Sequence, residues 1–271
     1  MQIALDIVSY GVVFAFGITI GSFLNVLIYR IPHKLDFVRG RSFCPNCEHR
    51  LGPADLVPIF SYLALGRKCR YCKKPISPRY MIVELIGGLL AVGAWATFLA
   101  NPPLLIANPW LVGNTAPPLA AVLFFLVLCI LLTISFIDAD TMEIPDGLVI
   151  ALLVCGVLAI VVGPEVTLLS RGIGLFAVSV PLLVLTLVIP NAFGGGDIKL
   201  MAAAGLLLGW QGVLVAFFIG IVLGGVYGVF LLATRKKDGK GLFAFGPALC
   251  VGIAGALFFG KLIADWYLGF F

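Results

Sequence analysis

Charge is what this chain has least of. Only 11% of its 271 residues are Asp, Glu, Lys or Arg, where a water-soluble domain carries about a quarter. With 61% hydrophobic residues and a mean hydropathy of +1.13, a soluble globular domain is excluded and a polytopic membrane protein is indicated. Residues 101–118, NPPLLIANPWLVGNTAPP, contain no Lys or Arg at all. No glycine-rich nucleotide loop follows a strand-like run, so no dinucleotide fold is signalled. No basic motif is interleaved with aromatics, so the net charge of +5 points to anionic lipid and membrane topology rather than to nucleic acid. The first apolar run lacks a basic leader and a small-residue cleavage site, and reads as a retained helix, not a signal peptide.

What is abundant is apolar sequence in bilayer-length pieces. Windows of about 20 apolar residues predict an all-α fold with spans near 5–29, 80–100, 117–137, 147–163, 171–190, 198–210, 211–234 and 244–268, eight in all. The sixth is short and rich in Ala and Gly, the signature of a broken or partly inserted helix; without it the count is seven and the C-terminus changes side. Three regions follow: the first transmembrane helix (1–29), a polar loop domain (30–79) and a helical core (80–271). Between Arg30 and Arg79 fall 11 of the 18 Lys and Arg residues, and four more lie in RKKDGK at 235–240. These loops are expected on the cytosolic side of the membrane, with residues 101–118 opposite and, for eight spans, both termini outside.

The polar loop contains CPNC at 44–47 and CRYC at 69–72, with 21 residues between the two pairs. Two such knuckles place Cys44, Cys47, Cys69 and Cys72 around one tetrahedral Zn2+, and a reducing cytosol keeps them as thiols. With all four positions filled by Cys, no site is left open for water, so the metal is expected to be structural. It staples a loop too poor in large apolar residues to fold by burial alone. Two disulfides and thioredoxin-like redox pairs are the competing readings. Cys129, Cys155 and Cys250 sit in apolar spans and read as packing residues.

Two acidic motifs border the apolar runs. In FIDADTMEIPD, Asp138 follows LLTISFI directly and is the deepest acid, while Asp140 and Asp146 stay open as alternatives and Asp146 also reads as a helix N-cap. In FGGGDIKL, Asp197 follows Gly194, Gly195 and Gly196, which allow unusual backbone conformations and the close approach of a substrate strand. Lys199 is a nearby positive charge. An ionisable side chain at a membrane span is a functional hypothesis in its own right. Two carboxylates sharing one proton are the minimal equipment of an aspartic protease, one activating water and the other polarising the peptide carbonyl.

Taken together and in this order, GSFLNVLIYR at the end of the first span, CPNC, CRYC, FIDADTMEIPD and GGGDIK make the chain closely resemble the type IV prepilin peptidases. The resemblance covers nearly the whole chain. It implies a GxGD-class membrane aspartyl protease with Asp138 and Asp197 as its catalytic pair. It also implies cleavage of the leaders of type IV prepilins or type II secretion pseudopilins at the cytosolic face, then N-methylation of the new N-terminus from S-adenosylmethionine. By the same resemblance the methyl donor is assigned to the cytosolic region, with Gly21, Ser22, Asn25, Arg30, Lys68 and Glu84 as candidates. The short segment before CPNC is a departure that bears on the methyltransferase site. A proton-coupled transporter using intramembrane carboxylates is the rival class, and it expects acids near mid-span. A noncatalytic assembly scaffold needs neither carboxylate. Oligomeric state has no signal in the residues.

Overall fold

The computed structural model describes residues 2–36, 39–98, 117–163, 166–189, 193–234 and 244–269. The expected outer stretch 101–118, save its last two residues, and the RKKDGK run lie outside the described residues. In a bilayer every backbone N–H and C=O must be satisfied internally, and the apolar runs do so as helices. They are α1 (Gln2–Arg30), α2 (Phe60–Ala64), α3 (Arg79–Phe98), α4 (Pro117–Thr141), α5 (Asp146–Val162), α6 (Leu168–Ala177), α7 (Ser179–Val188), α8 (Gly195–Ala233) and α9 (Gly246–Leu268). A short 3-10 turn spans Pro53–Asp55. Among the described residues there is no strand, only two isolated bridges, so the all-α expectation holds.

Among the described residues six helical stretches are long and apolar enough to cross a membrane, with α6 and α7 running on as Leu168–Val188. The shorter α5 is equally apolar. The 39-residue α8 is interrupted at Gly209, whose φ of 74° and ψ of 178° are not helical. At the start of α8, Phe193 lies with its ring 5.8 Å from that of Phe245, and a Cβ on Gly224 would press on the same Phe245 ring. Residues 193 and 224 therefore lie at one end of the bundle, and the chain turns back at Gly209. The halves of α8 correspond to the expected spans 198–210 and 211–234, so the described helices fall in the eight expected windows. The first half rises about 20 Å against a hydrocarbon core of roughly 30 Å, which is why it reads as a weak span.

The chain divides into two compact units, Met1–Ala96 and Thr97–Phe271. In the first, α1 and α3 cross where Gly17 and Gly21 face Gly87 and Gly88; a Cβ on Gly21 would stand 2.8 Å from the Glu84 Cα. In the second, α6 meets α8 at Gly174 and Gly205, and α8 meets α9 where Gly252 adjoins Ala216 and Gly220. Small residues are what let membrane helices pack by dispersion where no hydrophobic force drives them together. The interior of the second unit is apolar: Phe124, Ile134, Leu152, Leu200, Leu207 and Leu249 are fully buried.

Candidate active site and metal centre

Each cysteine pair sits in a tight knuckle. In the first, Cys44 N–H donates to the His49 carbonyl at 3.0 Å and Glu48 N–H to the Cys44 carbonyl at 2.8 Å. The second repeats the pattern, with Cys69 N–H to the Lys74 carbonyl at 2.9 Å and Lys73 N–H to the Cys69 carbonyl at 3.1 Å. Glu48 and Lys73, each directly after its CxxC, both take positive φ. The four Sγ atoms lie within 4.8 Å of one another, and Cys44 and Cys72 are 4.0 Å apart. Thiolates around a tetrahedral zinc at about 2.3 Å stand roughly 3.8 Å apart, so the residues fit the metal. The Cys72 amide hydrogen-bonds the Cys69 sulfur and brings its thiol down to about 7, toward the thiolate form a metal requires. All seven cysteines are free of disulfides. The His49 and Tyr71 rings pack with centroids 3.6 Å apart and planes tilted by 34°.

Asp55 braces the loop between the knuckles. Its carboxylate, 6% exposed, accepts from Arg70 Nε at 2.6 Å, Tyr71 Oη at 3.1 Å and Gly52 N–H at 3.1 Å. The Arg70 bond, above all, holds its carboxyl below the usual range.

Below the knuckles the first unit encloses a cavity of about 420 Å3, a size suited to a small molecule. Of the six candidate methyl-donor residues, Ser22, Asn25, Arg30 and Glu84 line it, among Tyr29, Phe43, Tyr62 and Tyr80. Gly21 is spent on the α1–α3 crossing, and Lys68 is exposed and not part of the lining. Arg30 is 4% exposed and donates to the carbonyls of Asp36, Gly40 and Arg41 at 2.8 to 2.9 Å, so it organises the loop after α1. Asn25 donates to the Tyr80 carbonyl at 3.0 Å. Glu84 accepts the Ile59 N–H at 2.7 Å and the Ser22 hydroxyl. Ile59 sits at φ 62°, ψ −52°, with Phe60 N–H bonded to the Pro58 carbonyl at 2.6 Å. That is a γ-turn of the strained hand, rare for a β-branched residue.

In the second unit, Asp138 lies in the last turn of α4 and Asp197 in the first turn of α8. Both are buried, at 5% and 9% exposure, and each carboxylate lies within electrostatic reach of the other. Asp140, Glu143 and Asp146 are exposed, so burial separates Asp138 from the alternatives the residues alone left open. Asp146 opens α5 without capping it and forms an ion pair with Lys199 at 2.7 Å; the expected N-cap role and a free Lys199 charge are both replaced by this pair. Asp197 Oδ2 accepts the Gly194 N–H at 3.2 Å, one arm of a capping box. Asp138 Oδ2 accepts the Gly246 N–H at 3.0 Å from the start of α9.

None of the three glycines before Asp197 has positive φ. Their role is proximity: a Cβ on Gly196 would stand 2.9 Å from Ile144 Cβ, one on Gly194 would stand 3.2 Å from Asp197 Oδ2, and one on Gly195 would meet nothing within 4 Å. Gly246 was not among the sequence candidates. Its signal, a Gly-Pro opening an apolar span, is weak without the fold. Arg171, inside an apolar window, was readable as an intramembrane charge and was also missed.

Comparison with known proteins identifies the family. Residues 15–98 match the bacterial peptidase A24 N-terminal domain, and residues 124–229 match the type IV leader peptidase family. A prepilin leader peptidase/N-methyltransferase of Aeromonas hydrophila is 32% identical over 288 residues, covering 96% of this chain and 93% of the relative. Proteins of the same name from Legionella pneumophila and Bacillus subtilis (strain 168) are each 30% identical, covering 96% and 95% of this chain and 95% and 97% of their own lengths. No solved structure matches. The chain belongs to the type IV leader peptidase family, as a multi-pass membrane peptidase with methyltransferase activity.

Proposed function

We propose that this enzyme removes the leader peptides of type IV prepilins or type II secretion pseudopilins at the cytosolic face of a bacterial inner membrane, and then N-methylates the exposed residue. The observation that carries the peptidase reading is the pairing of Asp138 with Asp197, two buried carboxylates from separate helix ends. Like charges that close do not both ionise cheaply, so the pair holds one proton between them. The ionised member takes a proton from water as it attacks, and the protonated member donates to the peptide carbonyl oxygen. Neither acid is at mid-span, where a proton-relay transporter would need it.

The proposed orientation rests on the 11 Lys and Arg residues between Arg30 and Arg79. The four cysteines hold a structural Zn2+ that fixes both knuckles over the cavity. That cavity is the proposed seat of S-adenosylmethionine, with Ser22, Asn25 and Glu84 as its polar contacts and Arg30 holding the loop beside them. Aromatic walls with a few polar groups suit an adenosyl ligand, and Glu84 supplies a carboxylate for its positive charge. When bound, the donor supplies an electrophilic methyl group; the protein's part is to orient it and keep water out. Incubating the full-length protein with a synthetic prepilin leader substrate and labelled S-adenosylmethionine, then weighing the products by mass spectrometry, tests both activities. Intact substrate would refute the peptidase assignment, and cleaved but unmethylated product the methyltransferase site.

A further inference from the structure

Arg171 has no role in the chemistry described so far. It lies in α6 within the membrane-spanning stretch Leu168–Val188 and is 0% exposed. An intramembrane Arg is expensive unless every donor is used. A guanidinium has five N–H donors in a planar fork, and here five carbonyls receive them: Nε bonds Val166 at 3.3 Å, one terminal nitrogen bonds Leu206 at 3.1 Å and Leu207 at 2.7 Å, and the other bonds Ala159 and Gly163, both at 2.9 Å. No acidic partner is needed.

The acceptors are the telling part. Ala159 and Gly163 belong to the carboxyl end of α5, and Leu206 and Leu207 end the first half of α8, immediately before the break at Gly209. Carbonyls at helix ends are largely left without a partner in their own helix; Ala159 also accepts the Gly163 N–H at 2.9 Å, and Arg171 gathers the carbonyls of two such ends at once. The turn that presents it is itself fixed, because Thr167 Oγ1 caps α6 by accepting the Ser170 N–H at 3.2 Å. A Cβ on Gly209 would stand 2.7 Å from Ser170 Oγ, so the reversal fits against this same turn.

We propose that Arg171 is a positioning residue for peptide cleavage: by gathering five carbonyls at the Gly209 reversal, it fixes the depth and rotation of the half-helix whose other end carries Asp197. The half-helix is short and has one catalytic end, so movement at the clamped end is transmitted along it to the carboxylate pair. The inference rests on the reading of Asp138 and Asp197 as that pair.

The test is cleavage of a prepilin leader substrate by full-length protein in proteoliposomes, for wild type, Arg171→Lys, Thr167→Val and Asp197→Asn. Lys keeps the charge but has three donors where five are used. Thr167→Val removes only the hydroxyl that caps the turn and is the milder lesion. The expected result for Arg171→Lys is a kcat per folded molecule lower by on the order of tenfold or more, with KM unchanged and a narrowed pH–rate profile. Narrowing follows because two carboxylates moved apart interact less, so their two apparent pKa values converge. The other groups at the pair, Cys250 from α9 and Lys199 bonded to Asp146 from α5, are untouched by the change. A purely structural role lowers the folded fraction and leaves the profile's width alone.

If Arg171→Lys folds, wild-type kcat per folded molecule or an unchanged profile width overturns the proposal. If it does not fold, the decision passes to Thr167→Val, for which a smaller change of the same kind is expected and wild-type behaviour overturns it. Asp197→Asn separates the two claims. Cleavage surviving in that variant refutes the catalytic pair itself, whereas its loss beside a wild-type Arg171→Lys refutes only the role of Arg171.

Discussion

Gly246 and Asp138 are joined across 108 residues of sequence by a buried hydrogen bond of 3.0 Å from the Gly246 N–H to Asp138 Oδ2. The same approach leaves no space for a side chain, since a Cβ on Gly246 would stand 2.7 Å from that oxygen. A hydrogen bond of this kind is worth about 1 kcal/mol net, more when the acceptor is ionised, and it fixes the Asp138 carboxyl where α9 begins. Gly246→Ala is therefore expected to lower the cleavage rate by on the order of tenfold or more while helix content, read by circular dichroism, is unchanged. Full activity in that variant would show that Asp138 does not depend on the contact.

The knuckles predict a metal stoichiometry. Metal analysis of purified protein is expected to find about one Zn2+ per chain. Changing any one of Cys44, Cys47, Cys69 or Cys72 to Ser is expected to lower that content and make residues 39–78 more sensitive to protease. Undiminished zinc in all four variants would contradict a shared site.

Glu84 offers a test of the cavity. Glu84→Gln retains an oxygen that accepts the Ile59 N–H, so the strained turn is kept while the charge and one acceptor oxygen are lost. Methylation of a precleaved substrate should fall markedly, while leader cleavage stays near wild type. Equal losses in both activities would remove the methyl donor from this cavity.

Asp55 gives a pH dependence with a definite sign. Its folded-state carboxyl is held below the unfolded value, chiefly by Arg70, so its stabilisation is present above the ordinary carboxylate range and is lost as the pH falls through the folded value. The stability difference between wild type and Asp55→Asn is expected to be constant near neutrality and to shrink in acid, below about pH 4. The exposed Arg70 makes it modest and salt-sensitive. A gap that widens in acid would contradict the assignment.

The helical windows were legible because most are apolar runs of bilayer length, and even the weakness of the sixth had a physical cause, a half-helix ended by Gly209. The four cysteines were legible because zinc-ligand spacing is local in sequence. Position in the sequence favoured Asp138 over Asp140 and Asp146 only weakly, and the family resemblance carried the choice; the burial of Asp138 beside two exposed neighbours is a property of the packed helices that no local motif states. Gly194 to Gly196 suggested backbone freedom, yet the fold uses the missing side chains of Gly196 and Gly194 for close approach to Ile144 and Asp197, and leaves Gly195 in open space. Lys199 looked like a charge for the active site until Asp146, distant in sequence, proved to be its partner. Gly246 and Arg171 act through contacts with remote segments, which no local motif announces.

The most direct measurement compares cleavage of a prepilin leader substrate by Asp138→Asn, Asp197→Asn and Asp140→Asn, all confirmed as inserted and folded. Both members of the buried pair are required to hold and pass the single proton, so the first two variants should fall to background while the exposed Asp140→Asn retains most activity. Substantial cleavage by Asp138→Asn or Asp197→Asn, or loss confined to Asp140→Asn, would contradict the account.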